Sequence, residues 1–350
     1  MQSHDCAPLV RLTRGNVVES IHYGAFVVVD RTGRVITSQG NPELVTYPRS
    51  AMKPLQALPF IERGGDQLYD LNLEEIALIC ASHGGTDAHV EVLKRIHSKV
   101  AIELDDLMCG VHWPSDKDTT QAMRKRGEEP NAYRHNCSGK HSGMLAHAKM
   151  RNLPLKGYLS PEHPIQQTIL TVVAEMCGLE PGSLPVGVDG CSAPVFAIPL
   201  LNFAMAIARL CDPAELDDQR AKASRRITTA MSAFPFMVAG LGKFDTVLMD
   251  VMKGKVIAKA GAEGYQIIGL LPEALDKGSP ALGIAIKLSD GDQTRRAIGH
   301  VSMAILKALG LFNADQLSGL AAFEDLELKN WRGIVVGKIS TCFDLSGLSW

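Results

Sequence analysis

The chain has 350 residues, 46% hydrophobic and 21% charged, with a formal net charge of -2. That balance excludes a disordered chain and permits a sizeable core. A near-neutral charge without any basic tract argues against nucleic acid as the main partner.

The first residues, Met1 to Cys6, show neither a charged n-region nor an apolar h-region, so no signal peptide is expected. No run of about 20 uncharged apolar residues suggests a membrane span. A cytoplasmic protein is the resulting expectation. Its eight cysteines, at 6, 80, 109, 137, 177, 191, 211 and 342, then read as reduced thiols. Cys80, Cys177 and Cys211 lie in apolar helical contexts and read as buried small residues.

Val17 to Tyr23 and Ala25 to Asp30 read as antiparallel strands, and a turn through Gly33 leads to a short strand at Val35. Pro42 to Pro48 reads as a loop. A helix follows near Ser50, with Pro54 confined to its first turn because proline has no N–H. Asn72 reads as the N-cap of a helix running to Ala81, and Asp87 to Val100 as a second. Gln121–Arg126, His141–Met150, Ile165–Cys177, Ala197–Leu210 and Ala214–Ala233 continue the helical middle. Strands are expected again at Thr246–Met252, Lys255–Lys259, Gly264–Leu270 and Leu282–Leu288. A long helix over Gln293–Leu309 and a strand over Gly333–Ile339 close the chain. Strands at both ends with helices between predict an α+β fold, an antiparallel sheet built from both termini. Residues 1–62 with 235–350 would form the sheet region, and 63–234 a mainly helical region, in one compact catalytic unit.

Four segments carry chemistry. Ser50-Ala51-Met52-Lys53 places a hydroxyl and an amine one helical turn apart on one face. A lysine of depressed pKa can activate such a serine without histidine. Ala81-Ser82-His83-Gly84-Gly85 ends an apolar helix. It reads either as a C-cap turn or as backbone that approaches a ligand and presents Ser82. Lys259 ends a strand before Gly261 and Gly264, as an edge lysine or as a second cation in a site. Two neighbouring lysines lower each other's pKa, and burial lowers it further.

The fourth segment is His135-Asn136-Cys137-Ser138-Gly139-Lys140-His141, which pairs naturally with Asp189-Gly190-Cys191. Two thiolates and a nitrogen can hold zinc, and spacing alone points to His135 or His141 as the nitrogen. Two free cysteines, or a Cys nucleophile with a His base, fit the same spacing. Asp189 can orient a ligand or bind an amine. His89 and His97, on an amphipathic helix, read as structural. Trp113, Trp331 and Trp350 have no aromatic partners at stacking spacing.

With these segments assembled, the chain resembles the Rhizobium-type, or class 3, L-asparaginase family over nearly its whole length. The matching segments are Tyr47 to Pro54, Ala81 to His83, His135 to His141, Asp189 to Cys191 with Pro194 to Phe196, and Lys259 to Gly264. The resemblance implies a fold similar to serine β-lactamases and penicillin-binding proteins. It implies hydrolysis of L-asparagine to L-aspartate and ammonia by a homodimer. It also implies two Ser–Lys tandems, Ser50 with Lys53 and Ser82 with Lys259, beside a zinc site of Cys137, Lys140 and Cys191. Lysine then replaces histidine as the nitrogen ligand. Arg49, Asp189 and His141 are expected near the substrate. The chain departs from the family at Leu241, where an acidic residue is common. A penicillin-binding or β-lactamase-like serine hydrolase, a zinc-dependent amidohydrolase and a non-catalytic amino-acid-binding protein are the alternatives.

Overall fold

The computed structural model describes residue 2 and residues 5–324, 327–346 and 348, so Trp350 lies outside the described residues. Its main sheet has eight strands: β1 (Ala7–Arg14), β2 (Val17–Asp30), β3 (Val35–Gln39), β4 (Val256–Ala260), β5 (Tyr265–Leu270), β6 (Leu282–Leu288), β7 (Glu327–Lys329) and β8 (Val335–Thr341). The order is β7-β8-β1-β2-β6-β5-β4, with β3 pairing to β2, and every pairing is antiparallel. The termini therefore share one sheet, as strands at both ends of the sequence predict.

β2 is one strand where two were expected. Its second half pairs residue for residue with β6, from Gly24 opposite Leu288 to Asp30 opposite Leu282, and this carries it through Gly24 without a break. β1 was not anticipated, because two register shifts interrupt its alternation.

The larger helices are α1 (Lys53–Glu62), α2 (Leu73–Ile79), α3 (Asp87–Val100), α4 (Ser138–Met150), α5 (Pro164–Cys177), α6 (Leu200–Cys211), α7 (Asp218–Ala233), α8 (Phe244–Met252) and α9 (Ile298–Ala308). α6 packs on β2, β5 and β6, while α1 packs against α4, α5 and α7. α1 is buried from Lys53 to Ile61, so it runs through the middle of the helical layer. None of the helices among the described residues is long and apolar enough to cross a membrane.

Two expectations near the site are corrected. Thr246–Met252 is helical, not a strand. Asp245, Leu248, Met249 and Met252 are buried at helical spacing, and Lys253 ends the helix in a left-handed conformation. Its β-branched Thr246, Val247 and Val251 mimic a strand in so short an apolar run. The helix expected from Gln293 begins only at Ile298. Asp292 accepts hydrogen bonds from the N–H groups of Arg296, Ala297 and Ile298, which holds residues 289–297 as a loop.

Candidate active site

Pro54 dictates the local backbone around Ser50. With no N–H at residue 54, the Ser50 carbonyl takes the Lys53 N–H instead, and Arg49–Met52 tightens into a 3₁₀ turn ahead of α1. Arg49 enters this turn at a φ of 52°, a left-handed conformation that a side chain rarely adopts. Its guanidinium Nε donates to Asp189 Oδ1 at 2.7 Å.

Lys53 is fully buried. Its Nζ donates to Ser82 Oγ at 2.8 Å, to the Ala81 carbonyl, and to the Asn136 carbonyl at 3.4 Å. Ser82 is fixed through its own N–H, which donates to the Val238 carbonyl at 2.9 Å. Lys53 is thus hydrogen-bonded to Ser82, the serine expected to work with Lys259, and no hydrogen bond joins it to Ser50 among the described residues.

Lys259 ends β4, and β4 and β5 pack against the turn that carries Ser50. The approach is close: a Cβ at Gly261 would lie 2.3 Å from the Pro48 carbonyl oxygen, so no side chain fits there. Lys259 Nζ donates to the Ala260 carbonyl at 2.8 Å. Burial, opposed by Asp245 and reinforced by the charges of Lys53 and Arg295, lowers its pKa to about 7. Ser50, Ser82 and Lys259 line one cavity of about 410 Å³, together with Asn136, Asp245 and Arg295. Asp245 is held by Ala260 N–H at 2.7 Å and Gln266 Nε2 at 2.9 Å. Arg49, Asp189 and His141 stand outside that wall.

The cysteine cluster adjoins the site through Asn136. Cys137, Lys140 and Cys191 are all buried, and Lys140 Nζ donates to Cys191 Sγ at 2.9 Å. A hydrogen bond from Cys191 lowers the Cys137 thiol well below its ordinary pKa against the effect of burial, and Lys53 and Lys140 add to the shift. Cys191, as the donor of that bond, is raised. Burial works against the Lys140 charge, but Cys137, Cys191 and Asp189 outweigh it and raise its pKa.

Sulfur and nitrogen are donors that zinc takes, but Lys140 donates to Cys191 here and would have to lose a proton to ligate. Among the described residues no three His, Cys, Asp or Glu side chains form a metal-holding group, so a metal here needs Lys140 as its third donor. His135 Nδ1 accepts from Cys137 N–H at 3.0 Å. His141 Nδ1 lies 2.6 Å from Tyr158 Oη, which also accepts from Met108 N–H. Burial lowers the His141 pKa well below its ordinary value.

Why positions 139 and 143 are glycine is also visible. A Cβ at Gly139 would lie 2.0 Å from the Leu78 carbonyl oxygen, and one at Gly143 would lie 2.5 Å from Ile79 Cγ2. Close packing of α4 on α2 brings Asn136 and Cys137 beside Ala81 and Ser82. Three other histidines brace the local structure. His89 completes the capping box of α3, and His97 bonds Ser142 and Tyr133. His83 accepts from Gly85 N–H through Nδ1 and bonds Ser138 Oγ through Nε2. All eight cysteines are free thiols. Asn136, Asp245 and Arg295 escaped the sequence reading as wall residues, although Asn136 lies within the His135–His141 segment singled out there.

Serine hydroxyls and lysine amines around one cavity at the edge of an antiparallel sheet are the equipment of a hydrolase, and the family comparison makes it an amidohydrolase acting on a linear amide. The chain belongs to the L-asparaginase II family, whose model matches residues 10–341. No protein with a curated description matches it. Among solved structures it is similar to the Bacillus subtilis glutaminase YbgJ in covalent complex with 5-oxo-L-norleucine. That match has 13% identity and a TM-score of 0.37, over 83% of this chain and 89% of the other. A Bacillus glutaminase solved in 4.3 M NaCl matches at 13% identity and a TM-score of 0.35, over 83% and 92%.

Proposed function

We propose that the chain hydrolyses the side-chain amide of L-asparagine to L-aspartate and ammonia by acyl transfer to a serine. The observation that carries this reading is the convergence of Ser50, Ser82 and Lys259 on one cavity, with Lys53 bonded to Ser82 behind it. Lys259, with a pKa of about 7, is half neutral at neutral pH and able to accept a proton.

In the proposed sequence Lys259 takes the proton of Ser50 as Ser50 Oγ attacks the amide carbon. That proton passes to the leaving nitrogen, ammonia departs, and a β-aspartyl ester remains on Ser50. Water then attacks the ester, giving its proton back through Lys259 and releasing aspartate. Lys53 and Ser82 supply hydrogen bonds and positive charge beside the reacting carbonyl. The tandems are thus crossed: Ser82 with Lys53, and Ser50 with Lys259.

Cys137, Lys140 and Cys191 would hold zinc, which supplies a fixed positive charge and an open coordination position at the amino-acid end of the substrate. Asp189 positions this cluster, since it accepts from Arg49 and lies 3.8 Å from Cys191 Sγ. The homodimer belongs to the same proposal and rests on the family resemblance. Ammonia release from L-asparagine, with L-glutamine in parallel, is the deciding experiment. Release that is lost in Ser50→Ala supports the reading. Retention of full activity in that variant, with complete loss on chelation, transfers the reaction to metal-bound water.

A further inference from the structure

The loop at 289–297 is tied down on both sides of a single residue. His22 Nδ1 bonds Asp290 Oδ2, and Arg296 Nε donates to His22 Nε2 at 3.1 Å. Because Nε2 accepts, the imidazole proton sits on Nδ1 and goes to Asp290. Asp292 takes three backbone N–H groups at the start of α9, as described above. Between these anchors stands Arg295, at a φ of 53°. A non-glycine residue in that region persists only where its surroundings over-determine it, and such residues cluster at functional sites.

Four exposed arginines have acidic partners: Arg14 with Glu19, Arg34 with Asp30, Arg95 with Glu74 and Arg126 with Glu128. No hydrogen bond or ion pair engages the Arg295 guanidinium among the described residues. Arg295 instead lines the cavity of Ser50, Ser82 and Lys259, and its charge reaches Lys259. Lys243, Lys259 and Arg295 stand in that wall against one acid, Asp245. Both oxygens of Asp245 are already taken by Ala260 and Gln266. The wall therefore carries an unmatched guanidinium, whose planar fork suits a carboxylate.

We propose that Arg295 is a specificity-determining residue that binds the α-carboxylate of the amide substrate, so that the cavity selects amides bearing a free carboxylate. The proposal rests on the amidase reading of this cavity. It gives the loop a purpose: Asp290, Asp292 and Arg296 hold the backbone so that the Arg295 guanidinium is left for the cavity of the serines.

The test compares L-asparagine with its α-methyl ester in the unsubstituted enzyme, in Arg295→Gln and in Arg295→Lys, following ammonia release. Arg295→Gln should raise KM for asparagine about tenfold or more, the usual scale for a lost charge-assisted hydrogen bond, with little change in kcat. At about pH 9, where Lys259 is neutral with or without the Arg295 charge, the methyl ester should lose far less than asparagine, and Arg295→Lys should recover part of the asparagine loss. Calorimetric binding of L-aspartate should weaken in Arg295→Gln in step with KM. Equal losses on both substrates, or an unchanged KM for asparagine, overturn the proposal. If the unsubstituted enzyme releases no ammonia, the amidase reading fails, and L-aspartate binding still decides the role of Arg295. Equal affinity in the two proteins then rejects it.

Discussion

Lys53 Nζ lies 2.8 Å from Ser82 Oγ, joining residues 29 positions apart, although Ser50 is only one turn away in sequence. The Ala81 and Asn136 carbonyls accept from the same amine, so three acceptors hold it at Ser82. The crossed arrangement leaves Ser50 to Lys259. A slowly hydrolysed asparagine analogue should therefore leave its acyl adduct on Ser50, detected by peptide mass spectrometry, and the adduct should still form on Ser50 in Ser82→Ala. An adduct on Ser82 that survives Ser50→Ala reverses the assignment.

Removing Lys53 should be more damaging than a lost proton acceptor alone. Lys53→Met leaves the Ala81 and Asn136 carbonyls and Ser82 Oγ without their donor in a buried site. We expect kcat to fall by roughly 10²- to 10⁴-fold, the range for a positioned acid–base or charged group. The melting temperature should fall as well. A variant with full kcat would remove Lys53 from the mechanism.

The pH dependence follows from Lys259. Its pKa of about 7 means that it is mainly protonated below that pH and neutral above it. A base that must be neutral gives kcat/KM rising with pH through about 7, with roughly a tenfold fall per unit well below. The groups that bear on it are Asp245, Lys53, Arg295 and Cys137. Asp245 raises the pKa, so Asp245→Asn should move the acidic limb to lower pH. Movement to higher pH, or no limb at all near neutrality, contradicts Lys259 as the base.

Much of the site was legible because motifs record which residue types must be present. Ser50, Ser82, Lys259 and the cysteine cluster each sit in a short polar segment bounded by glycine or proline, out of keeping with a core. Pairing was not legible, since it depends on how far β4 and α2 approach the Ser50 turn in space. Arg295 was invisible for a different reason. Its loop lies directly before α9, and the helical pattern of α9 extends smoothly back over Gln293 to Ala297 until Asp292 is seen to cap later residues. The sheet was legible where one face is buried and alternation is strong. It was not legible at β1, whose register shifts break the period.

Gly139 tests whether close helix packing positions the site. A Cβ there meets the Leu78 carbonyl at 2.0 Å, which neither helix can relieve by moving a side chain. Gly139→Ala should destabilise the fold by about 1–3 kcal/mol, the usual cost of overpacking. It should also push Asn136 and Cys137 away from Ser82, so activity should fall at temperatures where the variant remains folded. Unchanged activity and melting temperature would show that α4 can shift freely against α2.

Zinc is the remaining prediction, and its sign follows from where its donors lie. Cys137, Lys140 and Cys191 stand outside the wall formed by the serines and Lys259, linked to it by Asn136. A metal so placed orients the amino-acid end of the substrate and does not touch the reacting hydroxyls. Metal analysis of the purified protein should find close to one zinc per chain, and Cys137→Ser and Cys191→Ser should both lose it. Lys140 must give up its proton to ligate, so zinc affinity should increase with pH. Chelation should raise KM more than it lowers kcat, because binding is weakened while Ser50 and Lys259 remain in place. A near-total loss of kcat at unchanged KM would instead put the metal at the reacting carbonyl.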